Sequence, residues 1–166
     1  MNRHQFSNYL RQMEWADALT WRAARELPQA DERLRYLFHH IHVVQHVYLQ
    51  AWRGDPFAPT ELSSYADLAS IETWARAFHS RAREFSATVD ESRFDQPVEF
   101  PWSAMIAEQF GADVTPATFA ESAFQVFTHT IYHRGQIALR VRELGGVPPT
   151  VDYLVLVWSG KPAAEW

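Results

Sequence analysis

Apolar residues that recur every three or four positions, interrupted by proline and glycine at only a few places, restrict this chain to a small set of helical folds. Phe6, Leu10, Met13, Ala16 or Asp17, and Trp21 mark one face of a first helix from Phe6 to about Glu26, closed by Leu27-Pro28. A second helix starts at about Asp31, an N-cap followed by Glu32 in the first turn, and reaches Trp52 or Arg53 before Gly54-Asp55-Pro56 breaks it. A third spans about Asp67 to Val89. Between Glu91 and Pro116 the periodicity fails at Pro97, Pro101 and Gly111, and Val98–Trp102 and Met105–Phe110 read as strand-like, so this stretch is predicted as a long connection with a small hairpin. The fourth helix opens at Thr115-Pro116, a hydroxyl cap followed by proline, and ends near Leu144 at Gly145-Gly146. The segment from Pro148 to Leu154 is read as the start of a short last helix capped by Thr150. The pattern predicts an all-α four-helix bundle with a long crossover between helices three and four and a short C-terminal element.

Composition narrows the function. A chain of 166 residues, 47% apolar and 14% aromatic, matches one globular domain over residues 1–166. A net charge of −5 and the lack of any Lys/Arg block predict no nucleic-acid partner, because phosphate neutralisation dominates such binding. The polar, amphipathic N-terminus and the absence of 18 consecutive apolar residues predict a cytoplasmic protein with no membrane partner. Cysteine is absent, so a metal site must draw on nitrogen and oxygen donors.

Histidines supply those donors. In the fourth helix, FTHTIYHRGQ places His129 and His133 four residues apart, on one face and able to grip one object. Their stripe, from Ser122 through Gln125, His129, His133 and Gln136 to Arg140, is polar but flanked by Val126, Ile137 and Val141 on one side and by Tyr132 and Leu139 on the other. A polar stripe between apolar ones faces something inside the bundle, since burying an unpaired polar group costs about 1–3 kcal/mol. The second helix holds four histidines in FHHIHVVQHVYLQAW. His39, His42 and His46 fall on a stripe with Arg35, Gln50 and Arg53, read as the solvent face, whereas His40 falls among Tyr36, Leu37, Val43, Val44 and Val47 and looks inward. His40, His129 and His133 are therefore the expected metal ligands. Bonds of about 2.0–2.1 Å from three neutral imidazoles leave an open coordination position, as in catalytic zinc sites. A carboxylate-bridged di-iron site would need Glu-x-x-His pairs, which the sequence lacks.

The run HTIYHRGQI, from His129 to Ile137, resembles the HxxxHRGQ signature of the DinB/YfiT-like proteins, a damage-inducible family of metalloenzymes. MEWADALTWRAARELP is similar to that family's first helix, HIHVVQHVYLQAWRG to its second and PPTVDYL to its closing segment. The resemblance implies a three-histidine site for zinc or nickel that falls on His40, His129 and His133. It also implies a homodimer acting on a small-molecule substrate. Some relatives are thiol S-transferases or thiol-dependent isomerases that use bacillithiol, mycothiol or glutathione.

Three functions follow from such a site. A metal-dependent enzyme would bind a low-molecular-weight thiol as thiolate and align it for attack on an electrophile. A hydrolase would use the metal to activate water, with a carboxylate base for which the sequence offers no clear candidate. A non-catalytic stress-response bundle would bind metal or a partner and turn nothing over. Gln136 and Arg140, beyond His133 on the polar stripe, are placed to meet a substrate. Arg134, on another face, is expected to tie the fourth helix to a neighbour, and Gly135 to permit close helix packing.

Overall fold

The structure is a computed structural model that describes residues 1–111 and 113–166. Four long helices carry it: α1 (Arg3–Arg25), α2 (Glu32–Arg53), α3 (Leu68–Thr88) and, after the short α4 (Ser103–Phe110), α5 (Phe119–Glu143); α6 (Tyr153–Trp158) closes the chain. Both α1 and α2 pack against α3 and α5, which closes the four into a bundle. No described helix is long and apolar enough to cross a membrane.

The helix starts follow local chemistry. Asn2 and Gln5 cap α1 reciprocally, Asp31 accepts the amide of Leu34 at 2.9 Å, and Asp67 and Ser70 form a capping box on α3. Gly54 ends α2 in the left-handed region at φ 72°, a conformation that disfavours a Cβ.

The connection before α5 differs from the sequence expectation. The two segments read as strand-like do not form a hairpin: the isolated bridge among the described residues joins Pro97 to Thr118, outside both, and Met105 to Phe110 lies in α4. Ala, Met, Glu and Gln in that segment are good helix formers. Trp102 anchors the start of α4 among Tyr48, Phe57 and Phe100, with ring centroids 4.9–5.5 Å away. The bridge also moves the start of α5. Val98 donates to the Ala117 carbonyl and Phe119 to that of Gln96, both at 2.9 Å, so the chain around Pro116 stays extended and Thr118 becomes the cap, reciprocally bonded with Glu121. The last element is a helix, as expected, but Asp152 rather than Thr150 holds the cap position.

Two large apolar clusters fill the bundle, and a third, smaller one of Trp15, Ala16 and Leu156 seats α6 on α1. Of the large two, one gathers Phe6, Met13, Trp52, Phe78, Phe94 and Phe119; the other gathers Trp21, Leu34, Phe38, Ile41, Ile71 and Ile137. A polar layer separates them. Asp17 on α1, only 3% exposed, accepts from Arg134 of α5 at 2.8 Å and 3.2 Å through one oxygen. Its other oxygen accepts from Gln45 of α2 at 2.9 Å and His79 of α3 at 3.1 Å. The network continues outward: Trp21 Nε1 donates to His42 Nε2 at 3.0 Å, which leaves His42 Nδ1–H to donate to Gln45 Oε1 at 2.7 Å. Arg134 thus ties α5 to a neighbouring helix, as its position in the sequence predicts.

This layer overturns one sequence expectation. His39, His42 and His46, read as the solvent face of α2, are 7%, 1% and 6% exposed. His42 is held in the polar layer. His46 stacks on Trp74 with centroids 4.2 Å apart, donates to the Trp74 carbonyl at 3.1 Å and accepts from Arg81 at 3.2 Å, while His39 lies between Trp74 and Tyr65. The stripe faces α3, whose aromatic and polar groups receive imidazoles as readily as aliphatic chains. His40 is not the inward residue but a half-buried one at the α2–α5 edge. Gly135 is likewise corrected: a Cβ there would meet nothing within 4 Å, so close helix packing does not account for it.

Burial holds the ionisable groups of the core in fixed states. It pushes His42 down to about 4 and His46 down to about 3. Burial opposes ionisation of Asp17 as well, but Arg134 and His79 outweigh it and hold the carboxyl far below the ordinary range. Two outcomes follow. Arg134→Met leaves the Asp17 carboxylate buried without its cation and is expected to lower the unfolding free energy by about 3–5 kcal/mol in urea titration, whereas Asp17→Asn combined with Arg134→Met recovers part of the loss. Stability is also expected to decline as pH falls below the ordinary histidine value of 6.5 toward about 4 for His42 and about 3 for His46, because the unfolded chain binds more protons than the folded one over that window. Protonation of Asp17 extends the loss below its ordinary value of 3.8. Urea midpoints measured from pH 7 to pH 3 check this; a flat profile above pH 5 contradicts it.

Candidate metal centre

The α2–α5 contact brings His40, His129 and His133 together. Each offers one ring nitrogen, and the three atoms lie within 4.8 Å of one another. His40 Nε2 and His129 Nε2 are 3.2 Å apart. Ligand nitrogens on a tetrahedral ion with bonds of ~2.0–2.1 Å would sit roughly 3.3–3.4 Å apart, so this spacing suits a shared cation. The His129 and His133 rings, one helical turn apart on α5, have centroids 4.3 Å apart, and the His40 ring lies 4.4 Å from that of His133. His133 Nδ1–H donates to Gln136 Oε1 at 2.8 Å, which fixes the tautomer and leaves Nε2 for the cluster.

The electrostatics favour bare lone pairs. Burial, then the neighbouring rings of His133 and His40, push His129 down to about 4. Burial lowers His40 too, with His133 and His39 adding to it. Both imidazoles are therefore neutral at pH 7, the form that binds a metal. Among the described residues no carboxylate joins the cluster. Tyr36 stacks beside His40 at 5.9 Å and Tyr132 meets His133 edge-on at 5.0 Å; these two rings are 54% and 65% exposed, so the half-buried cluster lies next to solvent-facing side chains.

Gln136 and Arg140, read from sequence as facing a substrate, both have protein partners. Gln136 holds His133, whereas Arg140 pairs with Asp31 at the start of α2 and, at 2.6 Å, with Glu143. The bond to Asp31 is the chief reason that Arg140 is held above its ordinary pKa.

A second set of ligand-type atoms, from Asp17, His42 and His79, also lies within 4.8 Å and is fully buried. Its chemistry is different. Both Asp17 oxygens accept from Arg134, Gln45 and His79, and His42 accepts from Trp21 and donates to Gln45, so a cation there would displace partners already in place. Sequence reading missed this group, although Asp17 sits in register with the apolar stripe of α1, the position where a charge needs a buried partner.

No curated protein matches the chain. Residues 1–164, which include all three histidines of the cluster, match the DinB family, and the chain belongs to it.

Proposed function

We propose that His40, His129 and His133 bind a divalent metal ion and that the protein uses it to transfer a small thiol to an electrophile. The observation that supports this most directly is the convergence of three half-buried imidazoles, one oriented by Gln136, with no carboxylate in the cluster. When bound, the ion supplies a positive charge that lowers a thiol's pKa, and an open coordination position at which the sulfur can sit. The chain's own residues do the positioning. Gln136 keeps the proton of His133 on Nδ1, and Tyr36 and Tyr132 stand on the solvent-facing side from which substrate arrives. Arg140 would meet a substrate only by giving up Asp31, so we assign Gln136 the role nearest the site. Hydrolysis would need a general base, and the cluster's lack of a carboxylate favours thiol transfer over it.

Protein purified without a histidine tag is expected to carry close to one divalent ion per chain by elemental analysis. His129→Ala is expected to lose it, and with it the stabilisation that bound metal confers, about 2.7 kcal/mol at a free metal concentration of 100 times Kd. Exposed His4 provides the control: His4→Ala should keep both metal and melting temperature. Equal metal content in wild type and His129→Ala refutes the site.

The thiol reading has its own readout. Titrating cobalt-loaded protein with glutathione, bacillithiol or mycothiol is expected to give a sulfur-to-metal charge-transfer band whose apparent affinity rises as pH approaches the thiol's pKa. A cobalt spectrum that responds to pH alone, with an apparent pKa near ~7, supports the hydrolase instead.

A further inference from the structure

Residues 161–166 cross the α1–α3 edge of the bundle, opposite the α2–α5 edge that carries the three histidines. This strap is held at both ends. At one, Leu156 of α6 is buried with Trp15 and Ala16; at the other, the Trp166 ring lies 5.3 Å from that of His79 and 5.4 Å from the guanidinium carbon of Arg76, and its Nε1 donates to Glu14 at 3.5 Å. Between the anchors the strap carries Pro162, Ala163 and Ala164, whose short side chains do not fill the space beneath them, and a cavity of about 690 Å³ remains between strap, α1 and α3. That volume falls in the range of about 300–1,000 Å³ typical of small-molecule sites. Three cations and one carboxylate line it, in a chain of net charge −5. The carboxylate, Glu14, is already paired with Arg83. Arg11 and Lys161 form no ion pair with any carboxylate among the described residues. Ser7 adds a hydroxyl, whereas that of Ser86 donates to the Arg83 carbonyl at 2.9 Å.

Lys161 is the only lysine of the sequence and, among the described residues, the only non-glycine with a positive φ, 54°. It follows Gly160 in the turn that ends α6, where its amide donates to the Leu156 carbonyl at 2.9 Å. Left-handed backbone is strained for a residue with a Cβ, and glycine would relieve it. Such strain persists where the surroundings hold it, and it collects at ligand sites. Here it sets a half-buried ammonium on the wall of a cavity. We propose that the cavity binds a small phosphate monoester, with the phosphate held by Arg11 and Lys161 and the organic body lodged beneath residues 162–164 against Leu10. Two cations without partners match the charge of about −1.5 to −2 that a phosphate monoester carries at pH 7, whereas a monocarboxylate would engage only one of them. Arg11 alone, exposed to water, would hold an anion weakly; the half-buried Lys161 and the enclosing strap supply the rest.

NMR titration of the full chain with glucose 6-phosphate is expected to saturate, with amide shifts centred on Ser7, Arg11 and Lys161, and the affinity to weaken as sodium chloride is raised. Glucose should leave those signals unmoved, and succinate, whose two charges are separated, should bind about tenfold more weakly or worse. Lys161→Gln and Arg11→Gln should each lower the affinity for glucose 6-phosphate about tenfold. Lys161→Gly distinguishes a binding role from a structural one: it should lose the same affinity while melting no lower than the wild type, because glycine accepts the left-handed backbone. His129→Ala should bind the probe as the wild type does, which separates this site from the proposed metal centre and lets either fail alone. Absence of saturable binding, shifts centred on His40 and His129 instead, equal affinity for succinate, or a Lys161→Gly protein with wild-type affinity would overturn the proposal.

Discussion

The buried pair of Asp17 and Arg134 is the constraint around which the bundle is organised. A charge taken from water into an apolar interior is tolerable only when its partner and its remaining hydrogen bonds are supplied at once. Asp17 receives Arg134 from α5, Gln45 from α2 and His79 from α3, so one carboxylate meets every other long helix. Aliphatic residues can slide past one another with little change in energy; a layer of directed bonds between two apolar clusters cannot. The layer therefore fixes the register of all four long helices. Arg134 is the residue after His133, and His42 is two residues beyond His40, so the register that satisfies Asp17 also sets where the cluster imidazoles emerge at the α2–α5 edge.

Helical periodicity and punctuation made the four long helices legible in the sequence, because caps such as Asp31 and Asp67 and stops such as Gly54 act locally. The crossover was less legible. Its prolines broke the periodicity at Pro97 and Pro101, and the helix between them and Gly111 depends on Trp102 finding Tyr48, Phe57 and Phe100, contacts that no window of neighbouring residues reveals. Likewise the start of α5 shifts from Thr115 to Thr118 because a bridge to Pro97, more than 20 residues earlier, keeps the intervening chain extended.

The histidines show where polarity misleads. Grouping His39, His42 and His46 by their spacing was sound, and assigning the group to solvent was not. A neutral imidazole is an aromatic ring with one donor and one acceptor, and a core can receive it if both are met. Trp21 and Gln45 meet His42; the Trp74 carbonyl and Arg81 meet His46. Apart from Gln45, these partners lie on other helices, far away in the sequence. The signal that was available lay in α1, where Asp17 interrupts an apolar face and so announces that cations and donors must be buried opposite it.

Two clusters of ligand-type atoms with the same spacing limit thus have opposite characters, and hydrogen-bond saturation is what separates them. In the Asp17 cluster both carboxylate oxygens and His42 Nε2 already accept hydrogen bonds and the three side chains are buried, which yields rigidity. In the His40 cluster, only His133 has a fixed partner outside the group, on the nitrogen that points away from it, and two exposed tyrosines place solvent beside it. The 3.2 Å contact between His40 Nε2 and His129 Nε2 satisfies at most one N–H and one lone pair, and it gives the lone pair on His133 Nε2 no donor. The arrangement is better satisfied by a cation that draws all three lone pairs, and the metal-binding proposal rests on that imbalance rather than on the count of histidines.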